Sequence, residues 1–118
     1  MAVRGAGRHI DATVSLWEGI TSHSQRFGWT EFRLGSREIG HVHGDRLVDI
    51  PFPTRVRNQL VASGEALPHH VLPDSGWVSF YIRDPGDVDK AIALLRRSYD
   101  LAVEQGARSR SRDAERPA

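Results

Sequence analysis

The spacing of apolar residues changes from a helical to a strand period near residue 29. Ile10, Val14 and Trp17 recur at helical spacing, which predicts a short first helix that ends near Gly19. Residues 1–9 show no periodicity and are expected to form a flexible lead. The polar residues that follow the first helix, from 22 to 28, are typical of a loop.

Three strand-length segments come next, and short turn sequences separate them. Gly35-Ser36 and Gly44-Asp45 are both favourable as two-residue hairpin turns. The sequence therefore predicts a three-stranded antiparallel meander over Trp29–Leu34, Arg37–His43 and Arg46–Pro51.

The rest of the chain alternates between helix and strand. A helix is predicted from Thr54 to Gly64, and a Pro- and His-rich loop over Ala66–Gly76 leads to a fourth strand at Trp77–Arg83. The last helix is predicted over Asp87–Gln105, with acidic residues in its first turn. The fold class is thus α+β, a four-stranded antiparallel sheet with about three helices packed on one face.

Composition supports a single domain, which we place at residues 10–105. The chain of 118 residues has no cysteine, which excludes disulfides and thiolate chemistry. Residues 1–105 hold 12 basic and 13 acidic side chains, so the charge argues against nucleic-acid binding. The Arg/Ser-rich residues 106–118 are expected to form a disordered tail. No apolar segment reaches the roughly 18 residues of a membrane helix, and no signal peptide begins the chain, so the expected location is cytoplasmic.

Two-residue turns fix which side chains share a face of the sheet. They place His41 opposite Val48 and His43 opposite Arg46, so both histidines lie at the end of the helix-covered face. Trp29 is expected in the core. The other face carries a polar and aromatic set: Glu31, Arg33, Glu38, Asp49, Trp77, Ser79, Tyr81 and Arg83.

The sequence thus offers two candidate sites, one on each face. His41 and His43 lie about 7 Å apart along one strand, a spacing that suits a general base, a metal site or a structural hydrogen-bonded pair. His69 and His70 are adjacent in a loop, and in an extended segment at most one of them faces a given site. On the other face Glu31, Arg33 and Asp49 are candidates for orienting a polar ligand, or for cross-strand ion pairs such as Arg33–Glu38. Trp77 and Tyr81 are candidates for stacking on a flat ligand or for a homodimer contact.

Several segments taken together resemble the luciferase-domain family, which includes the fungal luciferases. The likeness covers about residues 14–104 and is carried by Phe27-Gly28, Glu31-Phe32-Arg33-Leu34-Gly35, Arg37-Glu38-Ile39-Gly40-His41-Val42-His43-Gly44-Asp45, Leu47-Val48-Asp49-Ile50-Pro51-Phe52-Pro53 and Pro68-His69-His70-Val71-Leu72-Pro73-Asp74-Ser75-Gly76-Trp77. The closing part, from Gly76-Trp77-Val78 to Tyr99, is also similar to the C-terminal half of MmcQ/YjbR-like domains.

The resemblance implies an oxidoreductase that adds O₂ to a small, planar, hydroxypyrone-like compound without a metal or flavin. It implies His41 or His43 as the base, then His70, with Arg33 as the anion partner and Trp77 and Tyr81 as ring contacts. Three alternatives remain open: a non-enzymatic ligand-binding or dimerising module, a His-ligated metal-binding protein, and, disfavoured by charge, a DNA-binding domain.

Overall fold

The computed structural model describes residues 3–115, with all their side chains except those of residue 27 and residues 107–115. Its elements are α1 (Ala6–Val14), β1 (Ile20–Ser24), a 3₁₀ turn (Arg26–Gly28), β2 (Trp29–Leu34), β3 (Arg37–His43), β4 (Leu47–Pro51), α2 (Thr54–Ala62), β5 (Leu67–Pro68), β6 (Trp77–Tyr81) and α3 (Gly86–Glu115). The strands form one antiparallel sheet in the order β1-β2-β3-β4-β6-β5. The predicted α+β class is confirmed, but the described sheet has six strands instead of four.

The two additional strands lack the sequence pattern of a strand. β1 is Ile20 followed by four exposed polar residues, because it is an edge strand that pairs only with β2 in the described sheet. β5 is two residues long, and Leu67 pairs with Ser79 of β6. Neither strand has an alternating apolar face, so hydrophobic periodicity does not detect them.

The first and last helices have different bounds from those predicted. α1 begins at Ala6 because the carboxylate of Asp45 accepts hydrogen bonds from the backbone N–H groups of Gly5 (3.2 Å) and Gly7 (2.9 Å). Because this cap comes from a turn distant in sequence, no residue next to the helix start predicts it. α3 continues to Glu115, beyond the predicted end at Gln105. The domain limits at residues 10 and 105, and the flexibility of the two ends, stay predictions.

One apolar core joins the three helices to one face of the sheet. Its fully buried side chains come from every layer: Ile10, Val14, Phe32, Ile39, Val48, Ile50, Leu60, Val78, Ile82 and Leu95. α1 and α3 contact each other and also contact β3. Among the described residues, no helix combines the length and apolarity that crossing a membrane requires.

The turn between β3 and β4 has three residues, not two, and this difference puts His41 and Val48 on opposite faces of the sheet. Its residues are Gly44–Arg46, so His43 pairs with Leu47 and His41 pairs with Asp49. A shift of one residue reverses the face of every side chain on a strand. The prediction that His41 and Val48 share the covered face is therefore wrong: His41, His43 and Asp49 lie together on the face opposite the helices.

A β-bulge in β3 places a further acid on that face. Gly40 pairs with Phe32 and Glu38 pairs with Arg33, which leaves Ile39 as an extra residue that points into the core. Because of this extra residue, Glu38 and His41 lie on the same face although they are three positions apart. Gly40 has a φ of +152°, and a Cβ there would lie 2.5 Å from Leu95 Cδ2.

Candidate active site

The centre of the site is the carboxylate of Asp49, which is fully buried. The hydroxyl of Ser79 donates to its Oδ1 at 2.7 Å, and Nε2 of His43 donates to its Oδ2 at 2.9 Å. These contacts follow from the sheet, since Asp49 pairs with Ser79 on β6 and with His41 on β3. Burial raises the pKa of Asp49, but hydrogen bonds from His41, Ser79 and His43 outweigh burial and lower it to about 2. Asp49 is therefore an anion at neutral pH.

His41 lies between two carboxylates. Its Nδ1 is 2.6 Å from Glu38 Oε2, and its Nε2 is 3.3 Å from Asp49 Oδ2. Burial lowers the pKa of His41, but the hydrogen bonds to Asp49 and Glu38 prevail and raise it to about 9. The ring is thus an imidazolium at neutral pH and donates from both nitrogens. A charged ring has no lone pair to accept a proton, which moves the choice of base away from His41.

The pKa of His43 shifts in the opposite direction to that of His41. Its pKa is lowered, chiefly by burial, although the hydrogen bond to Asp49 acts in the other direction. With Nε2 donating to Asp49, the neutral ring keeps a lone pair on Nδ1, and no other hydrogen bond of this ring is found among the described residues. His43 also lines a cavity of about 580 Å³, together with His70 and Tyr81. A neutral imidazole held by a buried carboxylate beside a cavity has the arrangement of a general base.

The loop before β6 brings His69 to the same carboxylate. Its Nδ1 accepts the backbone N–H groups of Val71 (3.1 Å) and Leu72 (3.0 Å), while its Nε2 lies 3.5 Å from Asp49 Oδ2. Because Nδ1 is an acceptor, the proton of the neutral ring sits on Nε2 and points to the carboxylate. Burial lowers the pKa of His69, which is consistent with this neutral form.

His70 lies beside the other carboxylate oxygen of Asp49, Oδ1. Its Nδ1 is 3.1 Å from Ser79 Oγ and 3.6 Å from Asp49 Oδ1, and its ring stacks on that of His69 with centroids 4.4 Å apart. The prediction that at most one of the two histidines faces the site is wrong, because the backbone bends at His70 and Val71 instead of running extended. We call the four rings of His41, His43, His69 and His70 around Asp49 the histidine cluster. His69 was missed by the sequence reasoning.

Two tryptophans flank the histidine cluster. The ring centroid of Trp29 lies 4.6 Å from that of His41 and 4.9 Å from that of His43. The ring centroid of Trp77 lies 5.3 Å from that of His41. Trp29 is 37% exposed, so its assignment to the core is wrong. It pairs with His43 across β2 and β3. The alternation of these two strands was the signal that could have placed Trp29 here.

The predicted anion partner, Arg33, forms an ion pair with Glu31 and has no contact with a histidine of the cluster among the described residues. Its Nε lies 2.5 Å from Glu31 Oε2, and Glu31 pairs with His41 across the strands. Burial raises the pKa of Glu31, but hydrogen bonds to Arg33 and Glu38 prevail and lower it. The register opposes Arg33 to Glu38 as predicted, but the ion pair that Arg33 forms is with Glu31. Its role toward a ligand stays a prediction.

Within the described residues, two sets of side chains have the spacing to hold a metal ion: His41, His43 and Asp49, and Asp49, His69 and His70. The second set fits poorly, because a metal-bound histidine normally donates from its other nitrogen and Nδ1 of His69 accepts two N–H groups instead. The first set is a two-histidine, one-carboxylate arrangement, and Glu38 supports its His41. Without a metal, the proton that His41 carries on Nε2 lies between His41 and Asp49 and balances the charge of the carboxylate.

Comparison with known proteins identifies the family. The luciferase-domain profile matches residues 36–98, more than half of the chain, and the chain therefore belongs to the luciferase-domain family. The matched segment contains all of the histidine cluster together with Asp49 and Ser79, whereas Trp29, Glu31 and Arg33 precede it. No curated protein and no solved structure matches the chain.

Proposed function

We propose that this luciferase-domain protein is a cofactor-independent oxygenase of a small, planar, enolisable compound such as a hydroxy-α-pyrone. The observation that carries the proposal is the hydrogen bond from His43 Nε2 to the buried carboxylate of Asp49, at the wall of an open cavity. Asp49 is too deeply buried to touch a ligand, so we assign it the positioning of His43.

The first chemical step is a proton transfer. Nδ1 of His43 takes the proton of the substrate enol, and Asp49 stabilises the imidazolium that forms. The positive charge of His41 is already balanced by Glu38 and Asp49, so His41 keeps Asp49 ionised while His43 cycles between its two forms. A general base of this kind contributes about 10²–10⁴-fold to the rate.

The second step uses O₂ as the oxidant. The enolate transfers one electron to O₂, and the radical pair combines to form a carbon–oxygen bond. The resulting peroxide anion takes back the proton from His43, so the product is a hydroperoxide equal to substrate plus O₂. Trp29 and Trp77 form apolar flanks beside the histidine cluster, where exclusion of water would protect the anion.

The test measures oxygen uptake over a panel of hydroxy-α-pyrones, with product mass determined by mass spectrometry. We expect uptake by the wild type, a loss of at least about 100-fold in His43→Gln, and wild-type rates in His9→Gln, which changes an exposed histidine on α1. Far-ultraviolet circular dichroism checks that each variant is folded. Because the reaction needs no metal, uptake should survive exhaustive chelation.

Three results would overturn the proposal. A folded His43→Gln variant with unchanged uptake removes the base, and absence of uptake by the wild type on the whole panel removes the oxygenase. A stoichiometric metal whose removal abolishes uptake replaces the mechanism with a metal-dependent one. If His43→Gln does not fold, the ¹⁵N shifts of His43 in the wild type decide, since a charged ring at neutral pH is incompatible with the proposal.

A further inference from the structure

Among the described residues, the lining of the cavity beside His43 includes two arginines and no acid. Arg46 comes from the turn between β3 and β4, and Arg83 follows β6. A backbone hydrogen bond of 2.8 Å from Ile82 N–H to the carbonyl of Arg46 joins the two segments. The two guanidinium groups are thus attached to neighbouring backbone positions beside the same opening.

Both guanidinium groups are available for an external anion. The neighbouring acids do not pair with them at ion-pair distance. Asp45 caps α1. Asp84 forms no ion pair with Arg83, and Asp87 accepts the backbone N–H groups of Arg83 (2.9 Å) and Asp84 (3.1 Å), so its charge acts on the Arg83 guanidinium only from beyond ion-pair distance. Within the described part of the chain, neither Arg46 nor Arg83 forms an ion pair.

The position of Arg83 is set by an aromatic ring. Its guanidinium carbon lies 5.3 Å from the centroid of Tyr81, in the geometry of a cation–π contact. Tyr81 pairs with Leu47 on β4, and both side chains line the cavity with His43. The cavity therefore presents a flat ring and an apolar wall next to two cations, which suits a planar ligand that carries an anionic group.

We propose that this cavity binds a planar carboxylate whose anionic group is held by Arg46 and Arg83. The assignment of that ligand as the substrate rests on the proposed function, because it places the ring of the acid against Tyr81 with its enolisable part toward His43. The binding itself rests only on the charges and the shape of the cavity. Arg46 and Arg83 then take the role that the sequence predicted for Arg33.

The experiment compares two ligands that differ only in charge. Coumalate, a pyrone carboxylate, and its uncharged methyl ester are titrated into the full chain by isothermal calorimetry. We expect coumalate to bind at least about tenfold more tightly than the ester. Arg46→Gln and Arg83→Gln should each remove most of that difference, whereas Arg55→Gln, an exposed arginine of α2 outside the cavity lining, should keep it. Higher ionic strength should weaken binding of coumalate and leave binding of the ester unchanged.

The possible outcomes separate this proposal from the oxygenase mechanism. Equal binding of the two ligands, no binding of either at millimolar concentration, or wild-type binding by both arginine variants overturns the anion site. His43→Gln should still bind coumalate while it loses oxygen uptake. If wild type binds coumalate through the arginines but oxidises no member of the pyrone panel, the anion site stands and its assignment as the substrate site is overturned.

Discussion

Folding stability should depend strongly on pH above neutrality because of His41. Folding places this ring between Glu38 and Asp49 and raises its pKa from 6.5 to about 9. A pKa that is higher in the folded than in the unfolded protein means that folding is favoured while the ring is protonated. The perturbation to apply is therefore a rise in pH, and the variant to compare is His41→Gln.

The size of the effect follows from the same pKa change. An increase from 6.5 to about 9 corresponds to about 3 kcal/mol at 1.36 kcal/mol per tenfold change in proton affinity. The side chain is 12% exposed, so solvent screening reduces this only modestly, to about 2–3 kcal/mol. The low pKa of Asp49 reports in part the same ion pair, and its free energy is not added again.

The pKa shifts fix the direction in which folding stability changes on each side of neutral pH. The contribution of His41 is complete below pH 6.5 and is lost as the pH rises through about 9. His43 and His69 have lowered pKa values, so their contribution is complete above pH 6.5 and is lost as the pH falls below it. Protonation of Asp49 removes further stability as the pH falls from 3.8 to about 2. Stability should therefore be greatest near neutrality.

Urea denaturation followed by far-ultraviolet circular dichroism measures these changes across the pH range, with a chelator present. The wild type and His9→Gln should lose about 2–3 kcal/mol of unfolding free energy as pH rises from 6.5 to about 10. His41→Gln should be less stable at neutrality and nearly flat over that range. An alkaline loss of equal size in His41→Gln would refute the reasoning, as would a wild type whose stability does not fall.

Three further substitutions test the architecture, each by the same urea denaturation. Gly40→Ala should cost about 2–4 kcal/mol, because its backbone has a positive φ and the new methyl would meet Leu95; a cost below about 0.5 kcal/mol would contradict the bulge. Ser79→Ala should cost about 1–3 kcal/mol, since one oxygen of buried Asp49 loses its donor, and Ser79→Thr is the control that keeps the hydroxyl. Asp45→Ala should cost about 1 kcal/mol through loss of the α1 cap, and an unchanged midpoint would show that the cap contributes nothing.

The turn and the strand bounds of the β2–β3 hairpin were predictable because local sequence determines them, but the register beyond the bulge was not, since Phe32 opposes Gly40 and not Ile39. Both strands have the predicted bounds, and Leu34 opposes Arg37 across the Gly35-Ser36 turn as expected. The following turn was not predictable in the same way. Gly44-Asp45 favours a two-residue turn locally, but in the fold Asp45 is engaged with the N-terminus of α1, and the turn takes in Arg46 as well. A contact distant in sequence thus overrode the local preference.

The candidate site was predictable only in parts for the same reason. His41, His43, His70 and Trp77 were chosen from their residue type and spacing, and the structure gathers all four. With the correct register, the two predicted sites on opposite faces become one site on one face. The central position of Asp49 then follows directly from its pairing with His41.

Asp49 also determines when the site can exist during folding. Its partners come from β3, from the loop before β6 and from β6 itself, the last of them 30 residues away in sequence. A nascent chain that has not yet added Ser79 leaves this carboxylate short of a donor, so strand β4 gains little from being buried early. We expect docking of β6 to be the step that completes the hydrogen bonds of Asp49 and buries this carboxylate. A ribosome-bound intermediate would accordingly keep its histidines open to water until that strand arrives.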